Sequence, residues 1–325
     1  MILITGAAGF IGSAYASYLN KKGLYNLILS DAFGSGNKWK NILGTRFVEF
    51  VDRYTLFDFL EKNPLAQKIT AVVHLGACTN TTEENMDFLL DTNVQYTTRL
   101  CKWAMERKIR FVYASSGAVY GDGALGFSDA DALTPQLRPL NAYGFSKWLF
   151  DMWILENGLI DSVAGLRFFN VFGPNEYHKG AMASVIFRSL KKAKREGVVR
   201  LFESHRGDYG HGEQKRDFIY VDEVLDAVYF VMEHKNANGI FNVGTGKAHT
   251  FNELAEALLT GLKKPINIEY FPMPEDIRSR YQYFTEADMS RLQNAGYTLP
   301  GDTFAQNVQK YVRKYLIPAK YHSQV

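Results

Sequence analysis

The sequence predicts an α/β protein, a doubly wound parallel sheet with a smaller, mixed α/β lobe attached. Three observations carry this. Short β-branched runs alternate with helical patterns through the first half of the 325 residues. A glycine-rich turn separates the first of those runs from the first helical pattern. After Phe169 the alternation lapses into loops rich in Gly, His and charge, such as ESHRGDYGHGEQKRD at 203–217.

The runs ILIT (2–5), LILS (27–30), RFVEF (46–50), AVVHL (71–75), RFVYAS (110–115) and SVAGLRF (162–168) read as successive strands. Strands buried on both faces are continuous apolar runs, as several of these are. Helical patterns fall between them at 10–22, 84–107 and 142–156. FIYVDEVLDAVYFVMEH (218–234) and GIFNVGTG (239–246) return to sheet and helix patterning. Internal repeats and low-complexity tracts are absent from the sequence.

Hydrophobic residues make up 46% and charged residues 22%, the usage of an ordinary globular protein. A net charge of +3 is too small for a nucleic-acid footprint but leaves room for a cationic pocket. Cys78 and Cys101 stand alone, without CxxC or a His cluster, so neither a disulfide framework nor a metal site is expected. Met1 leads directly into ILITG and no apolar run approaches ~18 residues, so a cytoplasmic protein without membrane association is expected.

GAAGFIG places Gly6, Gly9 and Gly12 between the first strand and the first helix. Glycines at this spacing permit a tight turn, close approach of backbone to a pyrophosphate, and close helix packing, with the helix N-terminus favouring the anion. Asp31 ends the second strand, where a carboxylate hydrogen-bonds an adenosine ribose and selects NAD. Lys38 and Arg53 are cations that reach the same place and would neutralise the 2′-phosphate of NADP. The expected organisation is thus a Rossmann-type dinucleotide-binding domain over 1–169, rejoined by 218–245, with 170–217 and 246–325 as the substrate lobe.

NAYGFSKWLF puts Tyr143 and Lys147 four residues apart, on one helix face. A phenol near pKa 10 is a poor base, and a neighbouring ammonium favours its phenolate. Such a tyrosine takes a hydroxyl proton while hydride leaves the same carbon. Ser116, in YASSGAVYG after the fifth strand, is placed to hold the reacting oxygen.

Through TGAAGFIG, YGFSK and RDFIYVDEV (216–224) the chain resembles the extended short-chain dehydrogenase/reductase superfamily. Within it, GACTNTTE (76–83), YASSGAVYG, RFFNVFGPNEYHKGAMAS (167–184), LFE (201–203) and RYQYFTEAD (280–288) resemble the nucleotide-sugar epimerases that act at C6 of an ADP-linked heptose. The resemblance spans nearly the whole chain. It implies an isomerase of lipopolysaccharide core biosynthesis that oxidises C6 with tightly held NADP, NAD being the alternative, and returns hydride to the other face of the ketone. It implies a homo-oligomer, a pentamer in the family, and a nucleotide-sugar as the only other partner.

By the same resemblance Lys179, in His178-Lys179-Gly180, is a second proton shuttle opposite Tyr143. A lysine near ~10.4 rarely gives up its proton at neutral pH, and lowering that by about 3 pH units costs roughly 4 kcal/mol, which desolvation or neighbouring cations, such as a charged His178, must supply. Phe10, Ile11, Asp31, Lys38, Arg53, Leu75, Gly76, Ala77, Cys78, Thr79, Asn93, Lys147 and Val171 carry over as cofactor contacts. Asn170, Arg216, Tyr281 and the stretch Phe202, Glu203, Ser204 carry over as substrate contacts, with Arg216 suited to a pyrophosphate. Ala181 and Arg188 stand at two further substrate positions, where the family has Ser and His. The segment between Ser204 and Lys215 is longer than in the family, and Leu75 replaces an acidic residue.

Three other readings compete. A dehydratase needs an acid-base pair beside Ser116, where Gly117 and Ala118 offer none. A UDP-hexose 4-epimerase would use Ser116, Tyr143 and Lys147 without needing Lys179. A non-catalytic NADP sensor would dispense with Tyr143 and Lys147.

Overall fold

Seven parallel strands form the central sheet of the computed structural model, which describes residues 1–278, 281–301 and 303–325, apart from the side chain of Asp276. Arg280, at the head of the RYQYFTEAD motif, lies outside the described residues. In chain order the strands are β1 (Ile2–Thr5), β2 (Leu27–Asp31), β3 (Glu49–Asp52), β4 (Ala71–His74), β5 (Arg110–Ser116), β6 (Val163–Phe168), β7 (Asn170–Phe172), β8 (Val199–Phe202), β9 (Lys215–Arg216), β10 (Phe218–Tyr220), β11 (Gly239–Val243), β12 (His249–Thr250) and β13 (Ile268–Phe271). The sheet order is β11-β6-β5-β4-β1-β2-β3, a Rossmann-like arrangement whose direction reverses beside β1.

Helices cover both faces. Phe10–Lys21 and Val221–Glu233 supply Tyr15, Leu19, Val224 and Val228 to one core, and Leu56–Lys62, Tyr96–Glu106 and Ala142–Glu156 supply Leu60, Leu100, Phe150 and Ile154 to the other. Both faces of a parallel sheet must be covered in this way, because its strands are apolar on both.

The third strand starts at Glu49, not at Arg46 as the sequence predicts. The Asn20 side chain holds Arg46 by both its N–H and its C=O, at 2.6 and 3.0 Å, so that peptide is spent before the ladder begins. The 84–107 pattern also resolves differently, as a helix from Met86 to Glu106 with a widened turn over Leu90–Gln95. After β6 the chain forms three two-stranded pairs, β7 with β10, β8 with β13 and β9 with β12, while β11 returns to the main sheet beside β6. Among the described residues no helix is long and apolar enough to cross a membrane, and no group of three or more His, Cys, Asp or Glu could hold a metal ion.

Candidate active site

A cleft of about 460 Å³ opens at the carboxyl ends of β1, β2 and β4, where an open parallel sheet places its ligand. Gly6, Gly9, Phe10, Ile11 and Gly12 line one wall. Gly6 has φ +64°, the left-handed turn that glycine adopts freely. A Cβ on Gly12 would lie 2.1 Å from the Gly6 carbonyl oxygen, so the helix packs on its own turn only with glycine there. The helix has no side-chain cap at Gly9, and its first intrahelical bond is Ser13 N–H to Gly9 C=O. The N–H groups of Phe10, Ile11 and Gly12 therefore remain for a ligand, which suits an anion such as a pyrophosphate.

Asp31 closes the far end of this cleft. Its carboxylate accepts from the Ala8 and Ala32 N–H groups at 2.8 and 2.7 Å and pairs with Lys38. Lys38 thereby cancels the charge that would repel a phosphate. Arg53 also lines the cleft, its guanidinium over the rings of Tyr54 and Tyr96 at 5.1 and 5.2 Å, and has no carboxylate partner among the described residues.

Leu75, Gly76, Ala77, Cys78 and Thr79 continue the lining beside Gly6, as a second wall. The Leu75 N–H is already bonded to the Thr5 carbonyl at 3.2 Å. Asn93 lies behind this wall: its amide grips the Cys78 N–H and C=O at 2.8 and 3.0 Å and reaches Ser146 Oγ at 2.9 Å. It sits in the widened turn Leu90–Gln95, a feature that recurs at functional sites.

The helix Ala142–Glu156 presents Tyr143 and Lys147 from its first turns, begun by an Asn141 cap on Gly144 N–H at 2.7 Å. Tyr143 is buried, and Lys147 donates to the Ala114 carbonyl at 2.9 Å. Burial pushes the Tyr143 pKa up, with the Ser116 hydroxyl opposing. The expected depression by Lys147 does not emerge, because that ammonium is turned to a backbone carbonyl. Burial brings Lys147 down to about 8, against the pull of Asp151 and Cys78.

Lys179 lines the first cleft, its Nζ 3.4 Å from Thr79 Oγ1 and 6.0 Å from the Phe10 ring centre. Burial lowers its pKa, opposed by Glu176. His178 does not supply the charge the sequence reading offered for it. Burial, Lys179 and Lys38 hold its pKa at about 4, so it is neutral at pH 7.

A second cleft, of about 350 Å³, lies in the irregular lobe and is lined by Arg188, Lys192, Arg200, Phe202, Phe251, Phe271 and Tyr281, among others. Burial raises the pKa of the Tyr281 phenol, with Arg216 and Arg188 opposing. Arg216 is buried, 5.1 Å from the Tyr281 ring centre, with one arm of its guanidinium bonded to the Gln282 carbonyl. Cations and aromatic faces around one hollow suit a nucleoside diphosphate.

Asn93, Ser116, Tyr143, Lys147, Asn170, Val171, Ala181, Glu203, Ser204 and Arg216 line neither cleft. Lys192 and Arg200, which share Glu269 at 3.5 and 2.9 Å, escaped the sequence reading. The spacing of Arg188 and Lys192, i and i+4 on one helix, is a signal that could have found the first. Phe88, Thr92 and Tyr96 of the first cleft carry the same signal, i, i+4 and i+8 in the 84–107 helical pattern.

Residues 2–244 match the model of the "NAD dependent epimerase/dehydratase family". The chain is 46% identical over 322 residues to the ADP-L-glycero-D-manno-heptose-6-epimerase of Nitratidesulfovibrio vulgaris strain Hildenborough, covering 99% of this chain and 100% of that one. It is 41% identical over 325 residues to the protein of the same name from Fusobacterium nucleatum, covering 97% and 98%. Among solved structures it is similar to the Helicobacter pylori ADP-L-glycero-D-manno-heptose-6-epimerase, with 28% identity, a TM-score of 0.78 and coverage of 98% and 95%. With the glycine turn, the switch-point cleft and the Tyr143–Lys147 pair in place, the chain belongs to the NAD dependent epimerase/dehydratase family.

Proposed function

We propose that the chain inverts C6 of ADP-D-glycero-D-manno-heptose to give ADP-L-glycero-D-manno-heptose, with NADP as its cofactor. The observation that carries this reading is the tie of two proton-handling elements to adjacent residues of one loop. Asn93 joins Cys78 to Ser146, on the helix that carries Tyr143 and Lys147, and Lys179 contacts Thr79. The 41–46% identity to relatives named for this reaction supports the substrate.

A bound nicotinamide supplies the chemistry of accepting a hydride and giving it back. Gly6, Gly9, Gly12 and the N–H groups of Phe10 and Ile11 would hold its pyrophosphate, with Asp31, Lys38 and Arg53 at the adenosine end. The cancelled Asp31 charge and the unpaired Arg53 support NADP over NAD. The second cleft would take the ADP of the substrate, leaving the heptose to reach toward Cys78 and Thr79. Ser116 then holds the C6 oxygen, and one of Tyr143 and Lys179 removes its proton as hydride leaves C6. The ketone turns over, and the other residue returns a proton to the oxygen as hydride re-enters on the opposite face.

Incubation with ADP-D-glycero-β-D-manno-heptose, with C6 configuration followed by NMR, tests the substrate, and turnover of UDP-hexoses alone would refute it. Lys179→Met is expected to slow inversion by about 10²-fold or more. Wild-type turnover in that variant would eliminate the second shuttle. Nucleotide released on denaturation is expected to be NADP, and NAD would reverse the cofactor assignment.

A further inference from the structure

The segment Lys38–Ile42 does more than deliver Lys38 to Asp31. Asn41, one turn on, is 1% exposed. Its Nδ2 donates to the Ala8 carbonyl at 2.9 Å and to the Asn175 carbonyl at 3.1 Å, and lies 3.1 Å from His178 Nδ1. One amide thus joins the glycine turn to the loop that carries Lys179. The Ala8 peptide is gripped at both ends, its N–H by Asp31 and its C=O by Asn41. We propose that Asn41 is a positioning residue that sets Lys179 against the cofactor cleft by tying its loop to the glycine turn. The proposal rests on the reading of Lys179 as a proton shuttle.

Three features make the tie specific. A side-chain amide has two protons, and here it meets three acceptors, so no other single residue of similar size supplies the same donors. The His178 contact requires Nδ1 to accept, which a neutral imidazole does with its proton on Nε2 and a charged one cannot. The neutral state of His178 is the one this surrounding favours. The Asn175 side chain gives the loop a second strut, with Nδ2 on Ser13 Oγ and Oδ1 on the His322 N–H, both at 2.9 Å. Asn175 sits at φ +79° and is fully buried, so the loop has little freedom to compensate if the first strut is lost. Proton transfer is sensitive to that loss, since a misplacement of about 1 Å costs on the order of 10²-fold.

The test is a cycle of kcat values for Asn41→Ala, Lys179→Met and the double variant, on holoenzyme with saturating sugar. Asn41→Ala is expected to lower kcat by roughly 10- to 100-fold, and to add less than about 2-fold in the Lys179→Met background. Multiplying effects would mean that Asn41 acts elsewhere, and an unchanged kcat in Asn41→Ala would mean that it sets nothing. If Lys179→Met alone keeps full turnover, the shuttle reading has failed first, and the cycle shows that separately. Should Asn41→Ala not fold, His178 decides. His178→Asn offers an amide oxygen near the place of Nδ1 and should retain kcat, whereas His178→Ala should lose it. Equal rates for those two variants would overturn the proposal.

Discussion

Tyr143 shows at the scale of one residue how surroundings choose a role. The residue is 9% exposed, and burial favours the protonated phenol against the pull of the Ser116 hydroxyl. At neutral pH the free chain therefore holds Tyr143 as an acid, and the charged partner that would make it a base, Lys147, is engaged with Ala114. The hydroxyl matters to chemistry far more than to folding, because the hydrogen bond of a single hydroxyl is worth only about 1 kcal/mol net. Tyr143→Phe is thus expected to lower kcat by 10²- to 10⁴-fold while KM for the sugar stays within a few-fold. Steady-state kinetics alongside thermal unfolding would check it. A loss of folding as large as the loss of rate would mean that the phenol is a core residue and no more.

Among elements, the glycine turn and the helix Ala142–Glu156 were legible because their information is local. Gly6 to Gly12 and Tyr143 to Lys147 are spacings within one or two turns of chain. Gly12 makes that legibility testable. An added Cβ would stand 2.1 Å from the Gly6 oxygen, a backbone atom that cannot swing aside, so Gly12→Ala must push the helix off the turn that faces the cofactor. Cofactor affinity should fall at least about 10-fold, with one or more kcal/mol of stability lost to the displaced packing, both measurable by titration and thermal unfolding. What stayed hidden was assembled from distant pieces. In the cationic hollow, Arg200 comes from β8 and meets Lys192 of a helix only through Glu269 of β13, and no spacing links the two; Arg188, Phe202 and Tyr281 of the same hollow are named through the resemblance alone. Asn20 capturing Arg46 moved the start of β3 for the same reason, since a side chain on one element took the peptide of another. The long 204–215 segment forms a stack instead of a free loop: Arg206 lies over Tyr209 and Tyr283, and Tyr283 meets Tyr281 edge-on at the cleft.

Over the whole molecule, the alternation of strand and helix revealed the sheet, but not the groups that tie its ends together. The last residues return to the first helix, where His322 Nδ1 lies 3.1 Å from Ser17 Oγ and Lys21 reaches the Val325 carbonyl at 2.5 Å. Inside the sheet, His74 bridges Thr5 Oγ1 at 2.6 Å and Thr97 Oγ1 at 2.9 Å, binding β1 and β4 to the helix behind them. That histidine is fully enclosed near Lys147 and Arg53, and its pKa falls to about 3, while His178 falls to about 4. Both are neutral in the fold. In the unfolded chain each titrates near the ordinary value of 6.5. Below that pH the unfolded chain takes up protons that the folded chain refuses, so the stabilisation present above pH 6.5 is lost as pH falls. Each such group removes about 1.4 kcal/mol per pH unit, which at pH 5 amounts to ~2 kcal/mol for His74 and less for the half-buried His178. Asp222 acts lower down: His322 and Lys310 hold it at about 2, so its contribution is complete above ~4 and disappears as pH falls to about 2. Against a total of roughly 5–15 kcal/mol, these losses should lower Tm by several degrees between pH 7 and pH 5 and more steeply below pH 4. His178→Asn should flatten the first part of that slope without moving the second, as differential scanning calorimetry would register. A Tm that is level from pH 7 to pH 5 would mean that His74 takes up a proton within the sheet, donating from both ring nitrogens to the two threonine hydroxyls.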